Sequence, residues 1–247
     1  MKYSGTIGTV LQARMGSERL PGKSLMEVGG KSILEHIIEN LKSSKHLSRI
    51  VLATTKGKED KALLELAEKL EVDGFAGRET NVLTRFNDAA EKFELNIVIR
   101  ICGDNILTDV DGMDRTIALY IRKKPDMAIN GGEQGYPLGT GVEVLSTSLL
   151  QKLNKSVKSI IEREHVTLHI YKQREKYRIL SLEAPVNYRD LNIRLTIDTP
   201  EDLFLIRLLY EKLKEDNKEF KLPFIAEYVR KHPEIKKINS HIKQKSF

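Results

Sequence analysis

The sequence predicts an α/β fold: a Rossmann-like, doubly wound, mostly parallel sheet. Three observations carry that expectation. From residue 7 to about residue 130, short apolar runs alternate with amphipathic helical stretches, the rhythm of a parallel sheet covered on both faces. The runs at 7–11 and 96–101 are largely apolar rather than alternating, as interior strands are. The loops after these runs combine glycine with charge, and right-handed crossovers collect such loops along one edge, where ligands bind.

The elements follow in order. After the first strand, residues 25–30 read as a short strand and turn. Ser32 and Glu35 form a capping box before a helix with the apolar stripe Ile33, Leu34, Ile37, Ile38 and Leu41. A strand at 49–53 runs into Thr54-Thr55, and a helix at about 58–70 buries Leu63, Leu66, Ala67 and Leu70. A short strand near Phe75 and a helix opened by Thr80-Asn81 come next. The strand at 96–101 ends abruptly at Cys102-Gly103-Asp104, before a helix at 111–122 and a strand at 126–130. Gly131, Gly132, Gly135, Gly139 and Gly141 then interrupt the rhythm with a flexible segment. Beyond it we expect a strand at 142–145, one long helix over 156–174, and strands at 178–182 and 192–197 that rejoin the sheet. Thr199, Pro200 and Asp202 signal a strong helix start. A last amphipathic helix at 223–231 precedes a polar tail, expected to be mobile.

Composition narrows the function. A chain of 247 residues with 40% apolar content suits one large α/β domain with a small embellishment. No run approaches the length of a membrane span, and with a strand expected within about six residues of the start, no cleavable signal is expected. The single cysteine, Cys102, excludes an internal disulfide and points to a reducing cytoplasm. The formal charge of +6 invites a nucleic-acid reading. However, residues 214–247 hold nine Lys/Arg and five Asp/Glu, which accounts for four of the six. The body is near neutral, without a basic stripe interleaved with aromatics, so no nucleic-acid partner is expected.

The chemistry centres on Gln12-Ala13-Arg14-Met15-Gly16-Ser17-Glu18-Arg19-Leu20-Pro21-Gly22-Lys23-Ser24. Arg14, Arg19 and Lys23 follow a buried strand, and the glycines let amides turn toward a ligand, so the stretch suits a polyphosphate. It is not a P-loop. The Walker pattern places four residues between its glycines, whereas Gly16 and Gly22 enclose five, and Pro21 lacks an amide that the cradle would use. The plain alternative is a surface turn with scattered cations. Asp104 and Asp198 each end an apolar run at the ligand edge, where a carboxylate calls for a cation. Either could instead be structural, Asp104 as the cap of the helix after it.

Ala13-Arg14 followed by Ser17-Glu18-Arg19-Leu20-Pro21-Gly22-Lys23 resembles the signature loop of the sugar-activating cytidylyltransferases. The likeness is greatest to the spore coat polysaccharide biosynthesis protein F group of the acylneuraminate/KDO cytidylyltransferase family, and it runs through about residues 7–210. It implies a nucleotidyltransferase sheet of the glycosyltransferase-A-like type and transfer of CMP from CTP to a sugar-like acceptor, with release of pyrophosphate. It assigns the triphosphate to Arg14 and Lys23, with Arg19 either sharing the work or making an ion pair. Gly103-Asp104 and Ile197-Asp198-Thr199-Pro200-Glu201-Asp202 match the family's metal motifs, implying Mg²⁺ on Asp104 and Asp198 and a catalytic set of Arg14, Lys23 and Asp104. Leu11, Gln12 and Ala13 would read cytosine through backbone atoms. Arg85, in Asn81-Val82-Leu83-Thr84-Arg85-Phe86, either faces the nucleotide or pairs with a carboxylate on its helix.

Glu143, Arg163 and His165 are the implied acceptor residues, although His165 reads more readily as a satisfied core or surface histidine. Two departures bear on the acceptor: Gly141 stands where the group has Asp, and Asn105-Ile106-Leu107 replaces its usual Pro-Leu context. The resemblance further implies a homodimer with residues 1–216 as the nucleotidyltransferase domain. Its insertion at about 131–190 would serve acceptor binding and dimerisation, and residues 217–247 form a C-terminal helix and basic tail. Two rivals stand beside it. Asp109-Val110-Asp111 is the metal motif of a glycosyltransferase, although Asp111-x-x-Asp114 also reads as a helix start. A nucleotide-binding module without turnover is the other, and the intact Asp104/Asp198 pair argues against it. Cys102, with no histidine near it in sequence, reads as a small buried residue.

Overall fold

The structure, a computed structural model, describes residues 3–131 and 135–244. The chain enters through β1 (Ile7–Gln12) and passes a short hairpin, β2 (Glu27–Val28) and β3 (Lys31–Ser32), to α1 (Ile33–Leu41). Then come β4 (Arg49–Thr55), α2 (Lys61–Lys69), β5 (Asp73–Gly77), α3 (Val82–Lys92), β6 (Ile97–Cys102), α4 (Val110–Lys123) and β7 (Met127–Ile129). The irregular part holds β8 (Glu143–Ser146), α5 (Thr147–Ser156), α6 (Ile160–Glu164), α7 (Leu168–Lys172) and β9 (Ile179–Ser181). α8 (Pro200–Glu215), α9 (Leu222–Lys231) and a 3₁₀ turn (Pro233–Ile238) close the chain. Both capping boxes form: Ser32 with Glu35 opens α1, and Thr199 with Asp202 opens α8 with Pro200 in its first turn.

Seven strands make one sheet in the order β5-β4-β1-β6-β8-β7-β9. β5, β4, β1 and β6 run parallel, and β8 runs against both β6 and β7. The chain leaves β1 toward β4 on one side and returns to β6 on the other, so a topological switch point lies at the carboxyl ends of β1 and β6. The signature loop leaves one of those ends, and Gly103-Asp104 leaves the other. The reversed β8 brings its first residue to the same edge, with Glu143 opposite Arg100 of β6. Successive β1 side chains feed opposite cores. Leu11 packs with α1, α4, α8 and α9, whereas Val10 packs with α3, α5 and Ile170 of α7. Among the described residues no helix is long and apolar enough to cross a membrane.

Four expectations need correction. The long helix over 156–174 is two short ones, because Val166 adopts φ 51° between them with its side chain fully buried. α5 was not foreseen; its cap is Ser146 alone, accepting from the Leu149 amide at 3.1 Å, without the acidic partner of a capping box. Residues 192–197 do not join the sheet. They make an isolated bridge between Leu138 and Arg194, and the alternation of Ile193, Leu195 and Ile197 reflects burial in the first core. The tail is not loose as far as residue 239: Ile235 and Asn239 are buried. Gly132 and residues 245–247 of the tail lie outside the described residues.

Candidate active site

The loop after β1 is pinned before it reaches its cations. The Met15 amide donates to Asp60 Oδ1 at 2.7 Å, and the Asp60 carboxylate also takes the Thr55 amide and hydroxyl. Burial opposes the charge on Asp60, but these donors hold its pKa below the ordinary value. The Gly22 amide bonds back to the Met15 carbonyl at 2.9 Å, and Gly22 takes φ 72°, a left-handed turn that suits glycine. That turn points Lys23 inward.

Lys23 Nζ lies 3.0 Å from Asp104 Oδ2, 3.0 Å from Asp198 Oδ1 and 2.7 Å from the Ile197 carbonyl. Burial disfavours its charge, yet the two carboxylates outweigh burial and raise its pKa. Arg19 Nη2 also reaches Asp198 Oδ1 at 3.0 Å, the ion pair that the sequence left open. Burial works against the Asp198 charge too, but Lys23, Arg19 and Arg194 keep its pKa low. Gly103 permits this convergence. Its amide bonds the Gln12 carbonyl at 2.8 Å, and a Cβ there would sit 2.8 Å from the same oxygen.

The base-reading candidates divide. Leu11 is wholly buried, the Gln12 carbonyl is taken by Gly103, and the Ala13 amide bonds the Ala53 carbonyl at 3.2 Å. These bonds occupy the Gln12 carbonyl and the Ala13 amide, two of the backbone groups that the resemblance implied would read cytosine. Two side-chain atoms stand open instead: Gln12 Oε1 and Arg85 Nε are buried without a hydrogen-bond partner. Gln12 shares the sheet face of Val10, against which α3 packs. Arg85 is 2% exposed, and Nη1 donates to the Arg78 carbonyl at 2.9 Å; no carboxylate on its own helix is bonded to it. Burial, with Arg14 nearby, depresses its pKa to about 10. Two neighbouring guanidiniums make a natural seat for an anion.

Beside Asp104 opens a cavity of about 390 Å³ whose lining includes Arg100, Cys102, Asn105, Gly139, Tyr171 and Arg174. Glu143 lies on it and is fully engaged, with Arg100 at 2.9 Å, Thr167 Oγ1 at 2.7 Å and the Tyr171 hydroxyl at 2.8 Å. It therefore shapes the wall. Arg163 is not on this lining; it staples α6 to α3 and α5 through Thr84 Oγ1, Asn154 and the Val157 carbonyl. His165, half-buried, caps the end of α6 and is also off the lining. Burial pushes the Cys102 thiol up to about 11, so it stays protonated at neutral pH. At Gly141, a side chain would meet the Asn130 carbonyl oxygen and Gly131 Cα at 3.1 Å, so the group's Asp does not fit this backbone without a shift. Arg100, Tyr171, Arg174, Asp60 and Arg194 are site neighbours that the sequence did not reveal; none lies in a recognisable motif.

Among the described residues no cluster of three or more His, Cys, Asp or Glu could hold a metal ion. Mg²⁺ needs less, since it keeps several waters and takes one or two carboxylates. Asp104 and Asp198 fit that requirement, because both reach a single cationic atom, Lys23 Nζ. Asp109-Val110-Asp111 does not form a comparable pair. Asp109 is 5% exposed, with burial lifting its carboxyl to about 6, while Asp111 is exposed in the first turn of α4.

A doubly wound sheet with a cation-rich loop and two convergent carboxylates at its switch point defines a nucleotidyltransferase. The cytidylyltransferase family model matches residues 9–229, and the chain belongs to that family. It is 37% identical over 238 residues to a Methanocaldococcus jannaschii protein of unassigned function, covering 96% of each chain. It is 34% identical to the spore coat polysaccharide biosynthesis protein SpsF of Bacillus subtilis, covering 83% of this chain and 87% of that one. An 8-amino-3,8-dideoxy-manno-octulosonate cytidylyltransferase of Shewanella is 27% identical over 74% of this chain and 71% of its own. Among solved structures, a cytidylyltransferase from Leptospira borgpetersenii superposes with a TM-score of 0.87 at 28% identity, covering 98% of this chain and all of that one.

Proposed function

We propose that this protein transfers CMP from CTP to a sugar-like acceptor and releases pyrophosphate, with Mg²⁺ held by Asp104 and Asp198. The observation that carries the reading is the Lys23 ammonium, lodged between those two carboxylates at the switch point. Arg14, Arg19 and Lys23 hold the triphosphate, and Lys23 moves onto the phosphates as charge builds on the leaving pyrophosphate. Mg²⁺ on these two carboxylates would supply neutralisation of the charge that develops on the phosphates. An acceptor oxygen, directed from the cavity beside Asp104, attacks the α-phosphorus as the bond to the β-phosphate oxygen breaks.

Gln12 Oε1 and Arg85 Nε, an open acceptor and an open donor, support a pyrimidine base. Because a glutamine amide can flip, UTP is the nearest competitor of CTP. The Shewanella relative and Arg174 on the cavity lining favour an acidic, octulosonate-like sugar as acceptor. The enzyme acts in the cytoplasm and as a homodimer, and the dimer is supported by Ile160 and Ile161 of the insertion, which are 77% and 51% exposed. Pyrophosphate release from the four triphosphates against a panel of sugar acids and sugar phosphates tests the proposal. We expect release with CTP, one acceptor class and Mg²⁺ together. Preference for a purine triphosphate would overturn the cytidylyl assignment.

A further inference from the structure

Asp198 is held from two sides, and only one belongs to the signature loop. Lys23 and Arg19 take Oδ1 at 3.0 Å each, whereas Arg194 Nη2 takes Oδ2 at 2.5 Å. The Arg194 side chain is only 7% exposed, and its remaining nitrogens are occupied as well. Nε donates to both oxygens of Asp202 at 3.0 and 3.2 Å, and Nη1 donates to Gln244 Oε1 at 2.5 Å. Asn239, 1% exposed, completes the frame: its Nδ2 donates to Asp202 Oδ1 at 2.8 Å and to the Arg194 carbonyl at 3.0 Å. A planar guanidinium bonded along three edges has no rotational freedom left, so it fixes which oxygen of Asp198 faces the loop. Asn239 and Gln244 both lie beyond residue 229, where the family match ends.

We propose that Arg194 is a positioning residue for Asp198, and that the C-terminal segment braces it through Asn239. The inference rests on the reading of Asp198 as a cation ligand. With only two protein carboxylates available to a hydrated divalent cation, the orientation of each one matters to cation affinity. Arg14 makes no contact with this frame, and Lys23 meets it only at Asp198 Oδ1, so binding of the triphosphate without metal should change less than cation affinity. A network that merely stabilises the fold would lower the melting temperature of its variants without changing cation affinity in the folded protein.

The test uses the full chain as wild type, Asn239→Ala, Arg194→Gln and Arg194→Lys. Mn²⁺ affinity is read by electron paramagnetic resonance with a non-hydrolysable CTP analogue, below each melting temperature. Affinity for the analogue without metal is measured alongside. We expect Mn²⁺ affinity to fall about tenfold in Asn239→Ala and roughly 10–100-fold in Arg194→Gln, in the range seen when a ligand's supporting partner is lost. Arg194→Lys should recover part of the loss, and metal-free analogue affinity should fall by much less than Mn²⁺ affinity. Unchanged Mn²⁺ affinity in folded Asn239→Ala and Arg194→Gln overturns the proposal. If the Arg194 variants do not fold, Asn239→Ala decides alone. A wild type that binds the analogue but no Mn²⁺ overturns the reading of Asp198 as a ligand, and this proposal with it.

Discussion

Lys23 is buried, which opposes its charge, yet Asp104 and Asp198 hold its pKa above the ordinary lysine value. Removing the ammonium takes its ion pair from Asp104, while Asp198 keeps Arg19 and Arg194. A wholly enclosed pair loses roughly 3–5 kcal/mol when one partner goes. The Lys23 side chain is 12% exposed, so Lys23→Ala should lose about 2 kcal/mol. Mg²⁺ should restore more stability to this variant than to wild type, since a divalent cation can answer the same two carboxylates. Melting curves with and without Mg²⁺ check this, and an equal effect on both proteins would contradict it.

The pH dependence follows from the same residues. Asp198 has a depressed pKa, so its contribution is present above the ordinary carboxylate value of 3.8 and lost as pH falls through its lower folded value. Lys23 has a raised pKa, so its contribution is complete below 10.5 and lost as pH rises through its higher folded value. The stability gap between wild type and Lys23→Ala should therefore be level through neutral pH and narrow in acid. Urea titrations across the acid range would show it; a gap that widened in acid would contradict the assignment.

At the scale of elements, the irregular half is held by close approaches rather than by ladders. Gly139 has φ 92°, and a Cβ there would stand 2.3 Å from the Thr196 amide nitrogen. Gly139→Ala should therefore lose roughly 2–4 kcal/mol, combining backbone strain with a steric shift. Denaturant unfolding checks it, and wild-type stability would mean that residues 135–141 do not pack on 192–197. This is also the region the sequence read least well. Capping boxes and helical stripes are local, so α1 and α8 were legible from Ser32, Glu35, Thr199 and Asp202. The break at Val166 has no local signature, because a β-branched residue does not advertise a positive φ. Its reason is distant: the turn brings Thr167 and Tyr171 onto Glu143. The alternation at 192–197 correctly reported burial, but alternation does not distinguish a strand from an extended segment.

At the scale of the molecule, the parallel sheet explains why the centre of the site was legible and its surround was not. Strand rhythm and crossover handedness put the loops after β1 and β6 on one edge, loop composition pointed to Arg14, Arg19, Lys23 and Asp104, and the family resemblance then put Arg14 and Lys23 on the triphosphate and a metal on Asp104. Arg194 and Asn239 belong to no motif and are 45 residues apart; only the folded chain shows them together. The cavity wall is similar, since Arg100 meets Glu143 only because β8 runs backwards beside β6. On the proposed function, the α-phosphorus of CTP passes to an acceptor at this edge. That transfer is tested most directly by CTP labelled at that phosphorus, incubated with Mg²⁺ and the acceptor found by the screen. Label should appear in a CMP-linked sugar together with an equal amount of unlabelled pyrophosphate, both lost in Lys23→Ala. Label recovered only as free CMP or CDP, or product formation unchanged in Lys23→Ala, would contradict it.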